Sequence, residues 1–335
     1  MKRAIFHRPG EKLAIEDHPI PDPGPGEVLI KVDRCGICGS DLKMTDPASP
    51  FHFAGSCCPG HEYAGTIAAT GKGVEGWKVG ERVTAFPVGG CGHCPACLAL
   101  DPYGCNACTY LMGGFGEYTI AQASLINRLP GNLTFEDGAL VEPLACGAQS
   151  IRLAGVGPQS RVLVLGAGAT GLAATYWAAR NGCASIAVAA TSDRRKAIAQ
   201  TMGATHFLHA GETLAQDATQ ALGGAPDVVI ECVGSAGQVG VGVEIVAPRG
   251  TVVSSGMCLD PDTLPTGTAT MKQVKIQFSM AYRMEDFRRA ITALDAGHVE
   301  PRAMVSETIA LEALPDMLET LRTDKSRCRV MVSPV

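Results

Sequence analysis

The chain has 335 residues, 46% of them hydrophobic and 18% charged, with a formal net charge of −5. That length favours two domains over a single core, and the composition excludes a disordered chain. The acidic balance gives no basic footprint for nucleic acid or an anionic membrane, and no apolar run approaches the length of a membrane span. Residues 1–20 lack the basic, apolar and small-residue order of a signal peptide, so a cytoplasmic chain with reduced thiols is expected despite its 14 cysteines.

In the first third, short β-like runs at 28–32, 63–69 and 82–85 alternate with Gly- and Pro-rich turns. This texture predicts an irregular β-rich domain, whose loops suit metal ligands. It contains Cys35-Gly-Ile-Cys38-Gly-Ser40-Asp41 and Gly60-His61-Glu62, and further on comes Val141-Glu142-Pro143-Leu144. A lone His is usually a satisfied core residue, and a lone Glu usually a surface carboxylate. Together the segments offer one sulfur, one imidazole and carboxylate oxygen, the set that an open catalytic zinc uses with water in the remaining position.

Between these segments lies Cys91-x-x-Cys94-x-x-Cys97-x₇-Cys105. Short Cys-x-x-Cys turns bring thiolates into tetrahedral range of a zinc ion at about 2.3 Å, and a closed shell of four sulfurs leaves no place for water. A structural zinc is expected here. Cys108, just beyond, is not assigned as a ligand.

From about residue 145 strands and helices alternate. The apolar run 161–165 leads into Gly166-Ala-Gly168-Ala169-Thr170-Gly171, then a helix over 171–181 and a strand at 186–190. A helix over 193–202 and strands at 204–208, 227–232 and 250–255 continue the pattern, which predicts a doubly wound parallel sheet with helices on both faces. In such a sheet the first glycine permits the tight turn, the second lets backbone approach a pyrophosphate, and the third lets helix and strand pack closely. Free N–H groups of Gly168, Ala169 and Thr170 would face the phosphates.

The end of the next strand separates the two dinucleotides. An NAD site places Asp or Glu there for the ribose 2′-hydroxyl. Here the position falls on Ala190, which removes repulsion of a 2′-phosphate. Ser192 adds a donor, and Arg194 and Arg195 add guanidinium forks suited to phosphate. NADP is therefore expected. The tail carries a helix over 285–296 and a final strand at 329–332.

In this order the motifs resemble the zinc-containing medium-chain dehydrogenase/reductase family, closest in style to its sorbitol and polyol branch. The resemblance spans nearly the whole chain. It implies a β-rich, GroES-like catalytic domain over 1–145 and 284–335, and a Rossmann cofactor domain over 146–283. It implies Cys38 and His61 as catalytic zinc ligands, with Glu142 where the polyol branch places a carboxylate and Glu62 as a further or alternative ligand. Cys146 ranks below Glu142 as a competing ligand. Ser40 matches the hydroxyl that begins the proton relay, Asp41 the carboxylate that orients the ligand histidine, and Arg329 a basic residue at the cofactor pyrophosphate. Lys43 stands where many members carry a proton-relaying histidine.

The implied activity is hydride transfer between NADP(H) and a secondary alcohol or its ketone, a polyol among the candidates. One catalytic and one structural zinc are implied per chain, with a homodimer or homotetramer as the assembly. The segment 275–281 would be the sheet edge that pairs across subunits. Two alternatives are a zinc-free reductase of activated double bonds and a non-catalytic NADP-binding protein. The intact ligand and glycine sets weigh against both. The Pro/Phe/His-rich segment 46–58 leaves room for a bulkier, less polar alcohol.

Overall fold

The ten-residue strand Glu27–Gly36 buries Val28, Leu29, Ile30 and Val32 and organises the first of two units. In the computed structural model, which describes residues 1–334, those units are Met1–Glu142 with Arg283–Val335, and Pro143–Tyr282. Strand Glu27–Gly36 pairs antiparallel with Glu62–Thr70 along its length and with Tyr118–Gln122 near its start. At its end it pairs with Arg329–Ser333, the closing strand of the chain. Strands Arg82–Ala85, Ile126–Arg128 and Val305–Ala310 complete a seven-stranded sheet. A core of Ile30, Val32, Phe115, Leu314 and Val330, among others, lies against it.

The helix Phe135–Ala154 starts within this unit, and the unit boundary falls inside it, between Glu142 and Pro143. Its start is closed by a reciprocal cap. The Asp137 carboxylate accepts from Thr134 N–H at 2.7 Å, and the Thr134 hydroxyl accepts from Asp137 N–H at 3.1 Å. Asp137 is fully buried and also takes two hydrogen bonds from Arg302, at 2.8 and 2.9 Å. Burial alone would raise its pKa, but Arg302 and Thr134 outweigh burial and hold the carboxyl below its ordinary value.

The second unit is a six-stranded parallel sheet in the order His206–His209, Ser185–Ala190, Arg161–Leu165, Val228–Glu231, Thr251–Ser254, Lys275–Phe278. That is the doubly wound order with its switch point beside the first strand. Val162, Leu163 and Val164 are fully buried, as a strand covered by helices on both faces requires. The expected 193–202 helix is observed as a 3-10 turn, Asp193–Arg195, running into the helix Lys196–Thr201. Among the described residues, no helix is long and apolar enough to cross a membrane.

Asp137→Asn should cost on the order of 2 kcal/mol, because it removes the charge that Arg302 and the helix start share. Since the folded pKa is depressed, the contribution is fully present above the unfolded value of about 4 and is lost as pH falls through the folded value. The gap in Tm between wild type and variant should therefore narrow in acid. A gap that stays constant from pH 7 to pH 3 would refute this account.

Candidate functional site

Cys38, His61 and Glu62 bring a thiol, an imidazole and a carboxylate together, with their ligand atoms all within 4.8 Å of one another. Cys38 is the N-cap of the seven-residue helix Gly39–Thr45, while Glu62 opens the strand that pairs with Glu27–Gly36. The strand register sets Glu62 opposite Gly36. A Cβ on Gly36 would lie 2.3 Å from Glu62 Oε2, so any larger residue there would displace this carboxylate from its observed place.

Asp41 lies behind the group with 1% exposure. Its Oδ2 accepts from Cys38 N–H at 2.9 Å, and its Oδ1 faces His61 Nδ1 at 3.6 Å. One carboxylate thus fixes the backbone of one donor and the ring of the other. Burial disfavours a charged His61, but Asp41 and Cys38 outweigh it and hold the ring's pKa well above its usual value. A pocket that draws positive charge this way, with soft and imidazole donors converging, fits zinc.

Glu62 is fully buried and is paired with Arg329, whose Nη1 donates to Glu62 Oε1 at 2.9 Å and to Ile37 O at 2.8 Å. Arg329, expected at a cofactor pyrophosphate, is 3% exposed and paired with Glu62. The reason is electrostatic. A buried carboxylate beside a metal group needs a cation, and the closing strand supplies one at the right register. Glu142 is 8% exposed and contributes to the charge around Arg329, but it lies outside the group of three donors. Cys146 is also outside that group and belongs to the second unit. Ser40 and Lys43 occupy the same short helix as Asp41, both half-buried.

Cys91, Cys94, Cys97 and Cys105 form the other cluster, again within 4.8 Å. Cys91 and Cys97 sulfurs lie 4.0 Å apart, close to the roughly 3.8 Å between sulfurs in a tetrahedron of 2.3 Å bonds. Backbone N–H groups of His93 and Cys94 pull the Cys91 thiol down to about 6, and those directed at Cys105 lower it as well. Gln122, unnoticed in the sequence, ties the lobe to the sheet: its amide donates to Gly90 O at 2.9 Å and accepts from Gly90 N–H at 3.2 Å. Cys108 is not in the cluster.

In the second unit, Gly166 has φ +97°, and a Cβ on Gly171 would lie 2.0 Å from Gly166 O. Gly168, which has no side chain, is the N-cap of the helix Ala169–Arg180 and gives its first N–H groups no side-chain cap bond. Ala190 ends its strand and Ser192 caps the turn Asp193–Arg195. Arg195 Nη1 donates to Ala167 O at 2.9 Å, which lays a guanidinium over the glycine turn, while Arg194 is exposed. Glu231 also escaped sequence reasoning. It is 1% exposed and its Oε1 accepts from Val233 and Gly234 N–H at 2.6 and 2.8 Å. A glutamate ending a fully apolar run was the available signal, since such a buried carboxylate must find donors.

Residues 24–131 match the alcohol dehydrogenase GroES-like domain, and residues 169–296 match the zinc-binding dehydrogenase domain. Sorbitol dehydrogenase of Ovis aries is 31% identical over 327 residues, covering 94% of this chain and 92% of the relative. A structure described as a short chain alcohol dehydrogenase from E. coli CFT073, complexed with NADH, superposes with a TM-score of 0.90 at 27% identity, covering 99% of each chain. A zinc-binding dehydrogenase from Sinorhizobium meliloti 1021, bound to NADP, does so with a TM-score of 0.87 at 28% identity, again over 99% of each.

Cys38→Ser should cost the protein one of its zinc equivalents by metal analysis, while melting and dinucleotide binding stay close to wild type. The four-cysteine lobe makes its own contacts and should keep its metal. Loss of folding together with that zinc would mean that the Cys38 group is the structural one and the two clusters have exchanged roles.

Proposed function

The chain belongs to the zinc-containing medium-chain alcohol/sorbitol dehydrogenase family, and from that premise we propose that it transfers hydride between NADP(H) and a secondary alcohol or its ketone. The observation that carries the reaction class is the convergence of Cys38, His61 and Glu62 within 4.8 Å, in a chain whose other unit is a doubly wound nucleotide sheet. Bound at these two places, zinc supplies Lewis acidity toward an alcohol or carbonyl oxygen and the nicotinamide supplies the hydride acceptor. Cys38 and His61 would hold the metal, with Asp41 keeping both in register. Glu62, neutralised by Arg329, would set the charge of the site and stand as an alternative donor. Glu142 would reach the metal only by moving from its observed place. The Ser40 hydroxyl would take the substrate proton and release its own toward solvent, while Lys43 on the same helix would accept a proton only as the neutral amine and would otherwise serve as a cation for an acidic substrate group.

NADP is favoured by the chain's own residues, since one related structure holds NADH and another NADP. Ala190 puts no carboxylate at the end of its strand, and Ser192, Arg194 and Arg195 follow it with a hydroxyl and two guanidinium groups. Asp193, which could act as the ribose acid, faces His209 at 3.4 Å. A polyol is the first substrate class to test, given the sorbitol dehydrogenase relatives. Phe51, 56% exposed in the 46–58 segment, supports including apolar secondary alcohols.

Lys275–Phe278 is the edge strand of the parallel sheet, and Phe278 and Met280 are 67% and 61% exposed. An edge with apolar side chains of that size invites pairing with another copy, so a homodimer or a homotetramer built from it is the proposed assembly.

Nicotinamide reduction should run at least about tenfold faster in kcat/KM with NADP than with NAD. It should stop on zinc chelation, and the cofactor ratio should invert in Ala190→Asp/Arg194→Ala. An unchanged ratio in that variant would place the 2′-phosphate elsewhere, and no turnover with any alcohol would end the reading. For the assembly, light scattering should give a multiple of the 34.8 kDa chain mass, falling to that mass in Phe278→Lys/Met280→Lys. A wild-type monomer would dispose of the edge-pairing idea.

A further inference from the structure

The helix Gly39–Thr45 carries much of the proposed chemistry, with Cys38 at its cap and Ser40, Asp41 and Lys43 within it, yet it has only seven residues. An isolated helix shorter than about 12 residues does not hold itself in water. Its shape must come from whatever grips its ends. Asp41 and Cys38 close the first turn through the 2.9 Å bond already described.

The other end is closed from a distant part of the chain. The final turn of any helix leaves carbonyls without donors. Here Arg322, on the helix Leu314–Thr323, donates from Nη1 to Leu42 O at 2.7 Å and from Nη2 to the Thr45 hydroxyl at 2.9 Å. Thr45, 3% exposed, donates a hydrogen bond from its own hydroxyl to Asp41 O at 2.7 Å. The fork is itself aimed. Arg322 Nε donates to Glu319 Oε2 at 3.1 Å, and Asp46 Oδ2 lies 3.7 Å from Nη1. A continuous run of hydrogen bonds therefore joins Arg322 to Asp41, the residue that holds Cys38 and faces His61. A cation at this end also complements the negative pole of the helix.

We propose that Arg322 is the positioning residue for the metal-binding helix, so that zinc affinity and turnover at the Cys38–His61–Glu62 group depend on its two-pronged grip. This rests on reading that group as the catalytic zinc site. A planar fork can satisfy a carbonyl and a hydroxyl together in fixed geometry. A lysine ammonium on a flexible stem does not reproduce that, so Lys is a poor replacement despite its charge.

The test uses the full-length zinc-loaded protein and the variants Arg322→Met, Arg322→Lys and Thr45→Val. Chelator titration follows both zincs, and the four-cysteine zinc serves as the internal reference. In Arg322→Met and Arg322→Lys the catalytic zinc should leave at about tenfold lower chelator, with kcat falling by about the same factor. The KM for the dinucleotide and release of the reference zinc should not change. Cobalt in the catalytic site should show an altered visible absorption band, which a simple loss of stability would not produce. If the arginine variants do not fold, Thr45→Val decides, with an expected shift of about threefold in the same direction. Wild-type chelator release and kcat in the folded variants would overturn the proposal, whatever their Tm. A zinc content unaffected by Cys38→Ser would overturn the site reading beneath it, and that outcome is distinct from the first.

Discussion

A carboxylate and a guanidinium with almost no access to water can stay charged only if each answers the other, and the pairing of Glu62 with Arg329 imposes that condition at the centre of the first unit. The two residues come from opposite ends of the chain, and the sheet brings them together. Gly36 is the meeting point, paired with Glu62 on one side and Met331 on the other. The closing strand has to return to this sheet to supply the cation. The glycine leaves the carboxylate its observed place. Removing either partner would leave a bare charge beside the metal donors, so the architecture and the site constrain each other through one ion pair.

Asp41 plays a comparable part on a smaller scale. A carboxylate that accepts a backbone N–H from one donor residue and faces the ring of the other makes the two donors move as one. Such an arrangement is precise only if the short helix beneath it is rigid. Seven residues cannot provide that rigidity alone. It is borrowed from the helix Leu314–Thr323, which packs on the same sheet through Leu314 and Leu318.

What the sequence disclosed follows the range of the physics. The strand 161–165 appears where it was expected, and Gly166, Gly168 and Gly171 behave as a tight turn because turn chemistry is local. The four cysteines were legible for the same reason, since close spacing forces close sulfurs. Long-range electrostatics was not. Nothing in the order of residues says that Arg329 will meet Glu62, or that Arg322 will close a helix some 280 positions earlier. Glu142 was placed by its motif, yet its carboxylate sits outside the donor group. The twenty-residue helix that bears it was hidden by Gly138, Pro143 and Gly147, which ordinarily mark a break. At Gly147 the glycine serves packing instead. A Cβ there would lie 2.5 Å from the Ala173 carbonyl carbon, so the helix accepts a poor propensity for a close approach.

The same local logic explains why an anion should bind at one glycine turn and not its neighbour. Two such turns follow adjacent parallel strands, Arg161–Leu165 and Val228–Glu231, and both present backbone N–H groups at the carboxyl end of the sheet. After the second strand, Glu231 occupies those donors itself, taking Val233 and Gly234 N–H on one oxygen. Its charge also disfavours a second anion at that turn. After the first strand the N-cap Gly168 supplies no side-chain cap, and the helix's first N–H groups add to the positive end of its dipole. Arg195, laid on Ala167, adds a further positive charge to that turn. On the proposed reading, a dinucleotide pyrophosphate would be directed to Gly166–Gly171 by what the neighbouring turn has already used up, a selectivity that the three glycines alone do not contain.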